Sequence, residues 1–160
     1  MALGDNTLQA ARGNQNPGRN PYMVQTVLNW ATALSDKGSA LAASDVVPVI
    51  AVPKGTMVMN AGIEVDTASD GSTFTVDLGM VDADVFVDGF DATSAAAVVA
   101  QNPAAYQPVM AVADDNIDVT IATLSGGAVS SGKLRVWAVL MDCTDIGDLS
   151  ANEVDRDTLA

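Results

Sequence analysis

From residue 45 onward the chain alternates between apolar and polar positions. In "TFTVDLG" (73–79), Phe74, Val76 and Leu78 fall on one side, with Thr73, Thr75 and Asp77 on the other. "NIDVTIATL" (116–124) repeats the pattern with Ile117, Val119 and Ile121 on the apolar side. A period of two is the pleat of a strand with one buried and one wet face. "DVVPVIAVP" (45–53) reads as a further strand; Pro48 cannot donate to a ladder, so an edge or a strand start suits it. "MVMNAGIEVD" (57–66) follows after the turn "KGT", and Gly62 interrupts its alternation, which predicts a bulge there. "KLRVWAVLMDC" (133–143) starts amphipathic, with Lys133 and Arg135 on the polar side. From Val136 both sides are apolar, the expectation for a strand covered on each face. "SGGAVSSGK" (125–133) is predicted to be a flexible hairpin connection between these last two strands.

Three stretches are less regular. "YMVQTVLNWATAL" (22–34) fits both periods; β-branching and the preceding Pro21 favour a strand, with "SDKGSALAASD" as a loop of small residues after it. "DATSAAAVVAQNPAAY" (91–106) has the propensity for a short helix ending before Pro103. Residues 1–21 are rich in Gly, Asn and Pro and read either as a linker or as an extended arm ordered by a neighbouring subunit. The expected organisation is an arm over 1–21, a β domain over 22–145 and an acidic tail over 146–160. In that tail Ser150 precedes Glu153 at capping-box spacing, the mark of a short helix or else a frayed end. Strands joined by turns at such short spacing indicate a sandwich or barrel rather than βαβ units.

Composition narrows the function. The chain has 160 residues, and 49% are hydrophobic but 4% aromatic, so Val, Ala, Ile, Leu and Met must fill the interior. Five methionines (Met57, Met59, Met80, Met110, Met141) are expected to fill core gaps, with some lining an oligomer contact. Twenty acids oppose seven bases, giving −13. Few cations are available to displace counterions from a polyanion, which argues against nucleic acid and against an anionic membrane. The charge is uneven: residues 1–40 hold Arg12, Arg19 and Lys37 against Asp5 and Asp36, so the acid lies in the body. No apolar run reaches the ~18 residues that cross a bilayer. The N-terminus lacks a basic stretch leading into an apolar core, so no signal peptide is expected and synthesis is assigned to a cytoplasm. The single cysteine, Cys143, cannot form an internal disulfide and is expected to be a buried small hydrophobe.

The absence of histidine removes the commonest general base, the usual triads and most zinc sites. Neither phosphate-loop nor dinucleotide glycine motifs occur. Carboxylates remain. "DLGMVDADVFVDGFD" (77–91) packs five aspartates around two phenylalanines. Counted from Asp82, an EF-hand loop would need an oxygen ligand at position 5, glycine at 6 and an acid at 12. Phe86, Val87 and Thr93 stand there. A glycosidase pair would need a cleft with aromatics for sugar stacking, and the chain has few. The expected role of the loop is architectural: solvated Asp82, Asp84 and Asp88, with Phe86 and Phe90 folded back over the end of the core and turn chemistry from Asp88-Gly89. Lys133 and Arg135 are expected to pair across the strand with an acid such as Asp118. Trp30 and Trp137 are candidate contact anchors or core members, with the core favoured for Trp137.

The runs "LAASDVVPVIAVPKGTMVMNAGIEVDTASDG", "FTVDLGMVDADVFVDGFDA" and "DDNIDVTIATLSGGAVSSGKLRVWAVLMDCTD", spanning about residues 41–145, resemble the capsid decoration (cement) proteins of tailed bacteriophages, marine and cyanobacterial phages above all. The departures lie in "ATSAAAVVAQNPAAY" and at both termini. The resemblance implies an all-β, antiparallel jelly-roll-like β-sandwich with an extended N-terminal arm, non-enzymatic and without cofactor or metal. It implies a place on the outer capsid surface of the virion, bound to major capsid protein as a homo-oligomer, a trimer. Residues 5–24 are then the expected shell contact, with Arg12, Arg19, Tyr22 and Trp30 as its candidate residues. The alternative is a head-fibre, tail or adhesion component that binds a host-surface glycan through the acidic loop, with or without calcium.

Overall fold

The computed structural model describes residues 21–100 and 108–143. The arm with Arg12 and Arg19, the second half of the expected 91–106 helix and the tail fall outside them. Two antiparallel sheets pack face to face. The first comprises β1 (Tyr22–Asn29), β9 (Lys133–Asp142), β3 (Thr56–Thr67) and β6 (Val98–Ala100) in that order, with β7 (Val109–Met110) also on β3. The second runs β2 (Val46–Val52), β8 (Asp115–Ser125), β4 (Thr73–Gly79), β5 (Val87–Asp91). With β6 and β7 counted as two pieces of one strand position, this is the eight-strand order of the jelly roll. β1 lies beside β2 along one flank and β5 beside β6 along the other.

The alternation builds the core as expected. Phe74, Val76, Leu78, Ile117, Val119 and Ile121 are each 0% exposed, and they face Val58, Ile63, Val136 and Leu140 from the first sheet. β2 is an edge strand, as Pro48 requires, and its register slips between Pro48 and Ile50.

Several expectations change. The strand from Tyr22 stops at Asn29, and Trp30–Lys37 form helix α1. The cause is local. Asn29 Oδ1 accepts from Ala31 N at 3.0 Å, capping the start. Gly38, at φ 68, closes the end with its N–H on Leu34 O and Ser35 O. Lys37 in the last turn bonds Asp45 and the carbonyl of Ala40. Trp30, at the helix start, is 0% exposed and meets Phe74 edge-on at 4.9 Å between centroids.

The helix expected from Asp91 does not form in its described part. Asp91 accepts from Thr93 N, Thr93 Oγ1 and Ser94 Oγ at 2.8, 2.6 and 3.0 Å, a side-chain turn that competes with helix. Val98–Ala100 then pair with Gly62–Glu64 of β3, covering that strand's open edge. The bulges of β3 fall between Val58 and Asn60 and between Val65 and Thr67, whereas Gly62 pairs regularly with Trp137 and Ala100. Residues 125–133 do not close a hairpin. They carry the chain from one sheet to the other, and Asp70 holds them through Ser130 N (2.9 Å), Ser130 Oγ (2.6 Å) and Ser131 N (3.0 Å).

Candidate functional site

The acidic stretch covers the end of β4, the connection to β5 and the whole of β5. Gly79 ends β4 against the returning backbone: a Cβ there would stand 1.8 Å from Asp82 O and 2.5 Å from the carbonyl carbon of Ala83. Met80 N and Val85 N both donate to Asp82 O, at 3.2 and 3.5 Å, and Phe86 N donates to Leu78 O at 2.9 Å. This tight fold drives Phe86 inward to 0% exposure, with Phe90 packed partly buried on the core. Asp77 Oδ1 accepts from Gly89 N at 2.8 Å, fixing a bulge within β5, opposite Val76–Leu78, in which Gly89 takes φ 64; the bulge stands where a turn at Asp88-Gly89 was expected. Asp82, Asp84 and Asp88 point to solvent. Among the described residues, no group of three carboxylate or thiol side chains is gathered to hold a metal ion. The loop's backbone and phenylalanines close one end of the sandwich, and its carboxylates stay in water.

The two outer faces are unequal. On the second sheet, Thr75 pairs with Thr123 and Asp91, and Asp77 with Thr120; Asp118 stands opposite Pro48 and Gly79. That face is acidic and hydroxylated, apart from Val46, 55% exposed beside Thr120 on the edge strand. Asp118 has its pKa raised, first by partial burial and then by the charge of Asp115, whereas hydrogen bonds from Thr93 and Ser94 hold that of Asp91 down.

The first sheet presents a different surface. Because β9 lies between β1 and β3, register places Met23 and Asn60 on either side of Val139, and Gln25 and Gly62 on either side of Trp137. Met57 sits between Met141 and Met110 one row further on, while Val27, Arg135, Glu64 and Val98 form a row on the other side. Met23, Val27 and Val98 are 64, 51 and 62% exposed. Trp137, Val139 and Met141 are half-buried by their own neighbours. The charges on this face cancel: Arg135 bonds Glu64 at 3.1 Å and Asp66 at 3.3 Å, and Lys133 is the other cation.

These placements revise the candidate residues. Trp137 belongs to the outer face, not the core, because Val136 and Ala138 take the inward positions of β9. β9 is thus covered by its own chain on one face. Trp30 is a core member, and its burial removes it from the contact surface. Arg135 pairs with β3 and not with Asp118, which lies in the other sheet. Met80 is in the core, but Met57, Met59 and Met141 are half-buried and Met110 is 37% exposed. Cys143 is half-buried beyond the end of β9 rather than buried, its N–H donating to Gly55 O at 2.8 Å. Tyr22 opens β1 at 46% exposure. The outer-face cluster went unread in the sequence, although "VWAVLM" carried its signal: apolar residues on both sides of a strand.

No protein-family model matches this sequence, and no curated protein matches it. Solved structures share its fold. A chain of the cyanophage Pam1 capsid asymmetric unit is similar at TM-score 0.61 and 14% identity, over 88% of this chain and 97% of that one. A chain of the capsid of Ralstonia phage GP4 is similar at TM-score 0.58 and 15% identity, over 79% and 86%. At such identity the likeness is one of architecture alone.

Proposed function

We propose that this chain is a structural virion protein that decorates the outer surface of a tailed-phage capsid and stabilises it by bridging major capsid protein subunits, as a homo-oligomer with three copies. The observation that carries this reading is the inequality of the two faces. One is an acidic, hydrated wall suited to solvent; the other is a neutral apolar wall suited to protein. A clamp needs such a surface and backbone pairing, and no reactive group. The shared fold with chains from two phage capsids supports the setting, and the enclosed Phe86 turn supports an architectural part for the acidic stretch. In this reading Arg12 and Arg19 fasten the arm to acidic patches on the shell, beside Tyr22 at the root of β1.

The test is co-sedimentation of the full chain with shells assembled from the major capsid protein encoded alongside it. Stoichiometric binding that falls at least tenfold in the double variant Arg12→Glu/Arg19→Glu, and weakens as salt rises, is expected. Absence of the wild-type chain from the shell pellet at low salt refutes the reading.

A further inference from the structure

We infer that the apolar outer face of the first sheet is the surface through which copies of this chain meet one another; the inference deepens the oligomeric part of the proposed function and rests on it. The occupant is a second copy of the chain, and charge selects it. The described residues carry fourteen carboxylates and four cations. Two of those cations, Lys133 and Arg135, stand on this face with Glu64 and Asp66, so it bears no net charge within a chain of −13. Two bodies of like sign approach most easily where neither presents its charge. Sheets in a sandwich lie about 10 Å apart, so Asp77, Asp91 and Asp118 stand about that far behind the face, on the side away from the neighbour. A neighbour seated on the first sheet therefore meets Met23, Val27, Trp137 and Val139, and the acidic walls of the two copies are separated by both sandwiches.

Size agrees. Three strands of eight residues and the five residues of β6 and β7, at roughly 4.8 Å spacing and roughly 3.4 Å per residue, give about 470 Å² in projection. Side-chain relief raises the accessible area above that, towards the about 800 Å² per partner that a specific interface buries. Gly62 beside Trp137 leaves the indole standing against a bare position, where a neighbouring copy can pack upon it. Packed on itself about a two-fold axis, the face closes a dimer; about a three-fold axis, one part of the face meets a different part on the next copy.

The experiment is native mass spectrometry and light scattering on the full chain, with Met23→Glu/Val27→Glu as the test variant and Thr123→Glu, on the exposed part of the other sheet, as the control. The wild type and Thr123→Glu are expected at two or three chains, and the double variant at one, with unchanged circular dichroism. Raising salt strengthens this contact, opposite to the arm's predicted salt response on shells. Should the double variant fail to fold, hydroxyl-radical footprinting of the wild type decides. Oxidation of Met23, Met57 and Met141 must fall severalfold as protein concentration rises, while that of the enclosed Met80 stays constant. A monomeric wild type, a double variant that keeps the wild-type mass, or methionine oxidation independent of concentration overturns the inference. A monomer that still coats shells overturns it together with the oligomeric part of the proposed function and leaves shell decoration standing, whereas an oligomer that ignores shells refutes the decoration.

Discussion

Gly79→Ala asks what holds the acidic loop. The new Cβ would be 1.8 Å from Asp82 O and 2.6 Å from Ala83 O, and both are backbone atoms that no rotamer change can move aside. Ordinary contact requires the turn at Asp82–Ala83 to retreat by roughly 1.5 Å, given that non-bonded heavy atoms settle near 3.5 Å. Such a shift lengthens the Met80 N–Asp82 O bond past its limit and pulls on Phe86, whose N–H is fixed to Leu78 O at 2.9 Å. A lost backbone hydrogen bond costs about 1 kcal/mol. Full removal of a buried Phe side chain costs about 3–5 kcal/mol, and part of that is incurred here. The expected destabilisation is about 3–5 kcal/mol, or roughly 6–20 °C in melting temperature for a chain of this size.

Gly89→Ala is the comparator. A Cβ at Gly89 meets no atom within 4 Å, and φ 64 adds only the left-handed penalty, about 1–2 kcal/mol. Asp82→Ala and Asp84→Ala, at exposed positions, should melt with the wild type. Differential scanning calorimetry on the four variants measures the series. A Gly79→Ala protein that melts within ~2 °C of wild type, against the scale above, refutes the claim that the loop's backbone closes the sandwich. Equal losses in the two aspartate variants would return the role to the carboxylates.

Other perturbations test the surface. Asp45, Asp70 and Asp91 have folded pKa values below the ordinary 3.8, through hydrogen bonds from Lys37, from Ser130 and Ser131, and from Thr93 and Ser94 respectively. Their stabilisation is complete above that ordinary value and is lost as pH falls below it towards the folded values, so melting temperature should drop below about pH 4, and less steeply in Asp70→Ala. Asp118 has the opposite sign: its folded pKa is raised, so its charge destabilises at neutral pH. Asp118→Asn should therefore melt higher than wild type at pH 7, a gap that closes in acid as the wild-type carboxyl is protonated. Arg135→Gln should cost under ~1 kcal/mol in urea titrations at low salt, because each partner is more than a third exposed, and the loss should shrink at high salt.

Much of the sandwich was legible because its cause is local and repeats every second residue. Phe74, Val76 and Leu78 had to share a face, and Pro48 had to avoid a central ladder. The misreadings came from competing local signals of equal strength. Asn29 and Gly38 bracket α1 as a cap and a stop, yet "YMVQTVLNWATAL" also alternates, and β-branching tipped the whole stretch to strand, which holds for Tyr22–Asn29 and fails from Trp30. In "DATSAAAVVA" the alanines favour helix, while Asp91 holds a turn and the open edge of β3 recruits a strand. No local rule weighs an edge supplied by a segment some 35 residues earlier. Strand pairing between distant segments was equally hidden: Arg135 meets Glu64 and Asp66 because β9 inserts between β1 and β3, which no spacing within "KLRVWAVLMDC" reveals.

The same topology explains why the core was favoured for Trp137 and why the strand from Val136 was expected to be covered on both faces. A strand apolar on both sides has two physical origins: its own chain covers it twice, or its own chain covers it once and another molecule covers the rest. Sequence patterning cannot distinguish them, because both reward the same residues. The two-layer jelly roll does distinguish them. With a single interior between the sheets, already filled by Val136, Ala138 and Leu140 from β9, nothing in the described fold requires an indole or a methionine row outside it. Side chains on that face contribute less to folding than their transfer to an apolar surface could yield, and the exposed Met23 and Val27 least. On the proposed reading their apolar character serves association: the surface least needed to build the sandwich is the one best composed to be covered.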